Sequence, residues 1–219
     1  MTGLTMKKAN RVKLFEEYLE ELFPNPRCEL EYSKDYELLI AVVLSAQTTD
    51  KRVNQVTRVL FERYPSLEAL ATADLEEVAE ILKPIGTFHK KAVFVQKIAE
   101  VLLKEYNGHV PNDPVSLQKM PGVGRKTTNV VLSNLYDYPA IAVDTHVERV
   151  SKRLAFCKES DDVRKVEVKL QKLYAKKNWA RRHHQMVLFG RYHCKAMKPE
   201  CDQCKMKETC SYVQKLNKK

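Results

Sequence analysis

Long apolar runs are missing from this chain of 219 residues; the longest is Leu38 to Leu44. A helix crossing a bilayer needs about 20 such residues, so no membrane span is expected. The N-terminal residues also lack the apolar core of a secretory signal, which makes the cytoplasm the expected compartment. No stretch alternates apolar and polar residues convincingly enough to read as a strand, which argues against a sheet-built core. Glycine is down to six residues, and two of them, Gly122 and Gly124, stand one residue apart. Acidic residues are absent between Lys176 and Lys198, where seven Lys or Arg occur.

What is present suits a water-soluble globular chain: 44% of residues are hydrophobic, enough for one large or two small lobes. The formal net charge is +10. That balance favours a polyanionic partner over an acidic small substrate, although basicity alone identifies nothing.

Helical periodicity carries most of the chain. Residues 8 to 23 read as an amphipathic helix stopped by Pro24 and Pro26. Asp35 opens a helix reaching to about Gln47 that is apolar nearly all round, the pattern of an element at the centre of a helical lobe. Further helices are expected over 48–64, 66–72, 74–83 and 89–106. Asp74 and Glu77 form a capping-box pattern at the third of these. Three more helices follow between about 145 and 193, so the fold class is all-α.

The stretch from Asp113 to Arg149 holds the chemistry. Asp113 before Pro114 reads as an N-cap with proline at the first helical position, opening a short helix that ends near Met120 and Pro121. Gly122 and Gly124 then form a tight turn, and from Arg125 a second helix carries Val130, Val131, Leu132 and Leu135 inward. Such a turn brings backbone N–H groups and a helix N-terminus to one phosphate without reading any base. A nucleotide-binding P-loop requires glycine directly before the lysine, where Arg125 stands. A dinucleotide fingerprint requires a preceding strand and a third glycine, where Thr127 stands. The simpler alternative is a helix–helix turn with no ligand.

Lys126 falls in the first turn of that second helix, where its charge opposes the macrodipole. A free lysine, with a pKa of about 10.4, is almost wholly protonated at neutral pH. A helix N-terminus, Arg125 and burial would each favour the neutral amine that can attack a sugar carbon. Asp144 precedes THVERVSKRL and reads as an N-cap, a position that can also face a site. The basic run containing Arg181 and Arg182 lacks acids at helical spacing and is read as a strip facing phosphates.

Cys194, Cys201, Cys204 and Cys210 follow a C-x6-C-x2-C-x5-C spacing. In a reducing compartment this favours metal over disulfides, and four thiolates suit zinc or an iron–sulfur cluster. Lys195 and Lys198, in the loop between the first two, are expected to face phosphates. Cys28 and Cys157 lie outside the pattern and read as buried thiols.

The segments MPGVGRKTTNVV, AVDTHVERV, LSAQTTD, IGTFHKKA and HHQMVLFGRYHC together resemble the helix-hairpin-helix DNA glycosylase and abasic-site lyase family, in its endonuclease III branch, over roughly residues 28 to 210. The resemblance implies that Lys126 attacks the anomeric carbon of a damaged nucleotide and Asp144 assists. It implies that Gln47 reaches into the duplex beside the flipped nucleotide and that the four cysteines hold a 4Fe–4S cluster. It also implies a lobe over 28–138 bearing the hairpin, and a second lobe from 1–27 with 139–219 bearing the cluster loop 194–210. Double-stranded DNA with oxidised pyrimidines or abasic sites would lie in the cleft, with Asp144 opposite Lys126. The expected form is a monomer working at the nucleoid. The chain departs from the pattern at Thr87, where relatives usually carry a leucine wedge. Gln47 with Phe88 or His89 is therefore expected to fill more of the vacated stack. A noncatalytic DNA-binding protein and a glycosylase without lyase action are the alternatives.

Overall fold

The computed structural model describes residues 6–217. Within them all regular elements are helical and no strand occurs, which agrees with the expected all-α class. In chain order the α-helices are α1 (Lys8–Leu22), α2 (Asp35–Leu44), α3 (Asp50–Arg63), α4 (Leu67–Ala71), α5 (Leu75–Leu82) and α6 (Phe88–Tyr106). There follow α7 (Pro114–Gln118), α8 (Arg125–Leu135), α9 (Thr145–Arg153), α10 (Val163–Leu173), α11 (Trp179–Leu188) and α12 (Ser211–Leu216). No described helix is long and apolar enough to cross a membrane. The chain divides into two compact units, Cys28–Tyr138 and Met1–Arg27 with Pro139–Lys219.

In the unit 28–138, α2 is the interior element. Every residue from Tyr36 to Leu44 is buried, and the helix packs against α3, α6 and α8. Each fully buried Leu, Ile or Val there contributes about 1.5–3 kcal/mol relative to exposure. The helix stops at Leu44, short of the expected Gln47, because Ser45 to Gln47 turn away as a loop. Thr49, Ser66, Asp74 and Asp113 cap α3, α4, α5 and α7 through their side chains. The capping box at α5 forms only half. Asp74 Oδ1 accepts from the Glu76 and Glu77 amides, while the Glu77 carboxylate goes instead to Arg63 Nε at 2.7 Å and Tyr64 Oη at 2.8 Å.

The other unit closes the N-terminal helix onto the C-terminal half of the chain. Phe15 of α1 meets Phe156 and Phe189 with ring centroids 5.6 and 5.1 Å apart. Leu19, Val147, Val150, Leu170 and Met186 complete this core. Beside it lies a polar seam between α1 and α11. Arg182, only 6% exposed, donates to Glu16 Oε1 at 3.0 Å and Glu20 Oε1 at 2.6 Å, and Arg181 Nε donates to Glu20 Oε1 at 2.9 Å. Gln185 Nε2 donates to the Phe23 carbonyl at 3.0 Å. These contacts correct the reading of Arg181 and Arg182 as phosphate-facing. Their acidic partners come from α1, more than 150 residues away in sequence, where a search at helical spacing within α11 could not find them.

The seam makes stability depend on acid. Hydrogen bonds from Arg181 hold the Glu20 carboxyl far below its ordinary 4.5, at about 2. A depressed carboxyl stabilises the folded state above its unfolded value and loses that contribution as pH falls toward the folded value. Glu20 is partly exposed, so solvent screening keeps the effect modest. Glu20→Gln should therefore lower the melting temperature at pH 7, with the gap from the parent narrowing between pH 4.5 and about 2. Thermal melts across that range check it; a gap that is constant with pH would remove the carboxylate's role.

Candidate nucleic-acid interface and cysteine loop

The hairpin forms where the sequence places it, between α7 and α8 of the unit 28–138. Asp113 Oδ1 accepts from Ser116 N at 2.8 Å, and Pro114 occupies the first helical position. The turn then tightens through Val123 N donating to Met120 O at 3.1 Å. Gly122 has φ +74°, a left-handed value that a side chain resists. It is also pressed against the core: a Cβ there would lie 2.6 Å from Phe94 Cδ2 and 3.0 Å from Val43 Cγ1. Gly124 differs in both respects. Its backbone is extended, and a Cβ would meet nothing within 4 Å, so its outer side is open.

Gly124 is the N-cap of α8 and supplies no capping side chain, unlike the caps of α3, α4, α5 and α7. The first turn of α8 carries no acid but has Arg125 and Lys126, both exposed. Burial was expected to act on Lys126, and the structure instead leaves its side chain on the surface. A helix mouth that combines an uncapped N-terminus, an open glycine and two cations is arranged for an anion.

Two exposed loop residues of the same unit adopt left-handed backbone: Gln47 at φ +57° and Thr87 at φ +54°. For a β-branched residue this is an outlier, and such conformations cost about 1–2 kcal/mol each. Gln47 is therefore a strained loop tip beyond α2 rather than the last residue of a buried helix. Phe88 is half-buried and His89 exposed, with ring centroids 4.3 Å apart. The sequence reading missed Lys91, which is 4% exposed and bonds to both loops. Its signal was present, since Lys91 lies at helical spacing from Val95, Ile98 and Leu102 on the inward stripe of α6.

In the other unit Asp144 caps α9, accepting from Val147 N at 2.8 Å through Oδ1. It is half-buried, and its second oxygen is not used by the cap. Further along α9, Arg149 Nη2 donates to Gly190 O at 2.7 Å and Nε to Cys194 O at 3.2 Å. Burial lowers the Arg149 pKa. Arg153 donates to Lys195 O at 2.7 Å, Ala196 O at 3.0 Å and Cys194 Sγ at 3.3 Å, and its guanidinium stacks on Tyr212 at 4.1 Å.

Cys194, Cys201, Cys204 and Cys210 line one recess of about 330 Å³, open solvent included, with Phe189 and Val213 among its apolar walls. Burial, with the neighbouring thiols adding to it, pushes Cys204 up to about 11 and raises Cys201 and Cys210 as well. Thiolates gathered this closely repel unless a cationic centre neutralises them, which is the condition a bound metal meets. Among the described residues, however, no group of three or more Cys, His, Asp or Glu converges on one ion position. Lys195 pairs with Glu200 at 2.6 Å, whereas Lys198 points outward, exposed at φ +48°. Cys157 is buried, as read from the sequence, and burial pushes it up to about 11; Cys28 is only half-buried, short of the buried thiol expected.

Residues 40–176 match the model of the HhH-GPD superfamily base excision DNA repair proteins. The chain is 44% identical over 214 residues to endonuclease III of Bacillus subtilis strain 168, covering 98% of each. It is 41% identical over 212 residues to endonuclease III of Escherichia coli K12, covering 97% of this chain and 100% of that one. A solved structure of a trapped endonuclease III–DNA covalent intermediate, an estranged-adenine complex, superposes with TM-score 0.92 and 46% identity. That match covers 97% of this chain and 100% of the other.

The two hairpin glycines should separate stability from binding. Gly122→Ala adds strain and a clash with Phe94 and should lower the unfolding free energy by about 1–3 kcal/mol. Gly124→Ala meets no atom and should stay within about 0.5 kcal/mol of the parent. It should nevertheless weaken duplex binding, because its methyl group occupies the side left open for a phosphate. Denaturant unfolding and a binding titration on both variants check this; unchanged binding in Gly124→Ala would deprive the open side of a use.

Proposed function

The chain belongs to the HhH-GPD superfamily of base excision DNA repair proteins and is a DNA glycosylase and abasic-site lyase of endonuclease III type; from that premise we propose that Lys126 is its nucleophile. One observation supports Lys126 above other lysines: it stands exposed in the first turn of α8, immediately behind the open hairpin. The backbone of Gly122 to Gly124 and the α8 N-terminus would grip one phosphate, which positions the strand without reading sequence. The target nucleotide leaves the stack, and Gln47 with Thr87, Phe88 and His89 fills the gap.

Lys126 Nζ, once neutral, attacks C1′ of the extruded nucleotide. The C1′–base bond breaks with its electron pair leaving on the base, and sugar-ring opening gives a Schiff base. Loss of a C2′ proton then allows β-elimination of the 3′ phosphate, which cuts the strand. Asp144, as a carboxylate, stabilises the positive sugar as the base departs or accepts a proton. Its use as a helix cap fixes the carboxylate without occupying both oxygens. The substrate is duplex DNA bearing oxidised pyrimidines or abasic sites, handled by a monomer in the reducing cytoplasm.

We assign the cysteine loop a 4Fe–4S cluster held by Cys194, Cys201, Cys204 and Cys210. Four thiols around one apolar-walled recess support that assignment. When bound, the cluster staples residues 194–210, a segment with little regular structure of its own. Lys198 then stands on the outside of that loop.

Borohydride added during incubation with lesion-bearing duplex should trap a covalent protein–DNA adduct. Lys126→Gln should lose the adduct and strand cleavage while still binding duplex, and Asp144→Asn should slow both steps with binding intact. An undiminished adduct in Lys126→Gln would move the nucleophile elsewhere; base release with no adduct from the parent would mean a glycosylase without lyase action.

Metal analysis tests the cluster. Protein purified anaerobically should be yellow-brown with about four irons per chain, and Cys201→Ser should lose iron and weaken DNA binding. Stoichiometric zinc without iron would refute the assignment.

A further inference from the structure

We infer that Lys91 is a positioning residue: its one ammonium fixes the two loop tips that carry Gln47 and Thr87, so that both are set before a nucleotide is extruded. This rests on the proposed role of those two residues in filling the vacated stack. Lys91 is 4% exposed, a burial that lysine almost never accepts without compensation. Its partners are three neutral oxygens, namely Ala46 O at 3.0 Å, Ile85 O at 3.1 Å and Thr48 Oγ1 at 3.3 Å. An ammonium has three donors, and here each has an acceptor.

The placement of these acceptors carries the inference. Ala46 and Thr48 flank Gln47 on either side, and Ile85 directly precedes Gly86 and Thr87. One buried cation therefore holds the base of both tips. Both tips are left-handed at non-glycine residues, a conformation that persists only where surrounding structure over-determines it. A second tie, Arg52 Nη1 to Pro84 O at 3.2 Å, lies at the surface, where water competes for it. Burial lowers the Lys91 pKa, and the three oxygens act the other way by accepting hydrogen bonds from the charged form. A planar guanidinium, with its donors fixed in a fork, cannot reach the same three divergent acceptors.

Lys91→Met keeps length and packing while removing the charge, and three readouts judge it. In the free protein, amides at 46–48 and 85–87 should exchange with solvent about tenfold faster or more, with the interiors of α2 and α8 unchanged. Single-turnover rates should fall about tenfold or more on a stably base-paired lesion and less than about twofold on a preformed abasic site, since misplaced tips impair extrusion rather than bond chemistry. The double variant Gln47→Ala with Lys91→Met should lose less on the paired lesion than the two single losses combined, because part of the lysine's effect passes through Gln47. Equal losses on the two substrates, fully additive losses in the double variant, or unchanged exchange would each overturn the inference. If Lys91→Met does not fold, Lys91→Arg retains the charge and is judged by the same readouts. A parent protein inert on both substrates would overturn the proposed reading of the site, and the exchange data would then decide the loop tie by themselves.

Discussion

Burial of α2 is the constraint on which the unit 28–138 depends. An α-helix apolar on all sides can be stable only when neighbours cover all sides, and α3, α6 and α8 do so. Each covering helix thereby receives a fixed place relative to the loop that leaves α2 at Ser45. The hairpin is docked on the same surface: Gly122 lies so close to Val43 of α2 and Phe94 of α6 that no side chain fits between. For the proposed function, in which the helix mouth holds a phosphate and the loop tip enters the duplex, the two must keep a fixed separation. Their common attachment to one buried helix provides it.

The second unit reaches order by a different route. Its core gathers around Phe15, Phe156 and Phe189, and the segment after α11 has little regular secondary structure to satisfy its backbone. Arginine side chains supply the missing donors. Arg149 and Arg153, one turn apart on α9, bind the carbonyls of Gly190, Cys194, Lys195 and Ala196. The Gly190 and Cys194 carbonyls are part-buried, where an unpaired acceptor would cost more than the net value of such a bond, so the start of the loop depends on α9 keeping Arg149.

Much of this was legible in the sequence, and the exceptions have physical causes. Helix positions followed from apolar periodicity, and the hairpin from Pro114, Gly122 and Gly124. The four cysteines were evident from spacing, although spacing alone left zinc and iron–sulfur both open. Errors arose where a partner was distant in the chain. Arg181 and Arg182 looked unpaired because their acids, Glu16 and Glu20, belong to the other end of the sequence. Gln47 looked helical because the apolar pattern of α2 runs up to Ser45 and no glycine or proline marks the stop. Lys91 was passed over because lysine is ordinarily a surface residue, and its burial is decided by carbonyls from two loops that local sequence does not bring together.

Arg181 and Arg182 of the expected strip are already paired with Glu16 and Glu20, so that strip offers DNA fewer unpaired cations than its sequence suggests. An enzyme that must inspect many normal base pairs has reason to avoid a dense basic surface, because each phosphate contact adds affinity that is independent of sequence. On the proposed reading, a backbone grip at one phosphate, helped by Lys126 and a few outward cations such as Lys198, would hold the duplex loosely. Discrimination then falls on extrusion, whose cost is lowest for a base that is damaged or already missing. Two strained tips suit the proposed division of labour, because residues fixed in advance would lose little further freedom on entering the place of the extruded nucleotide.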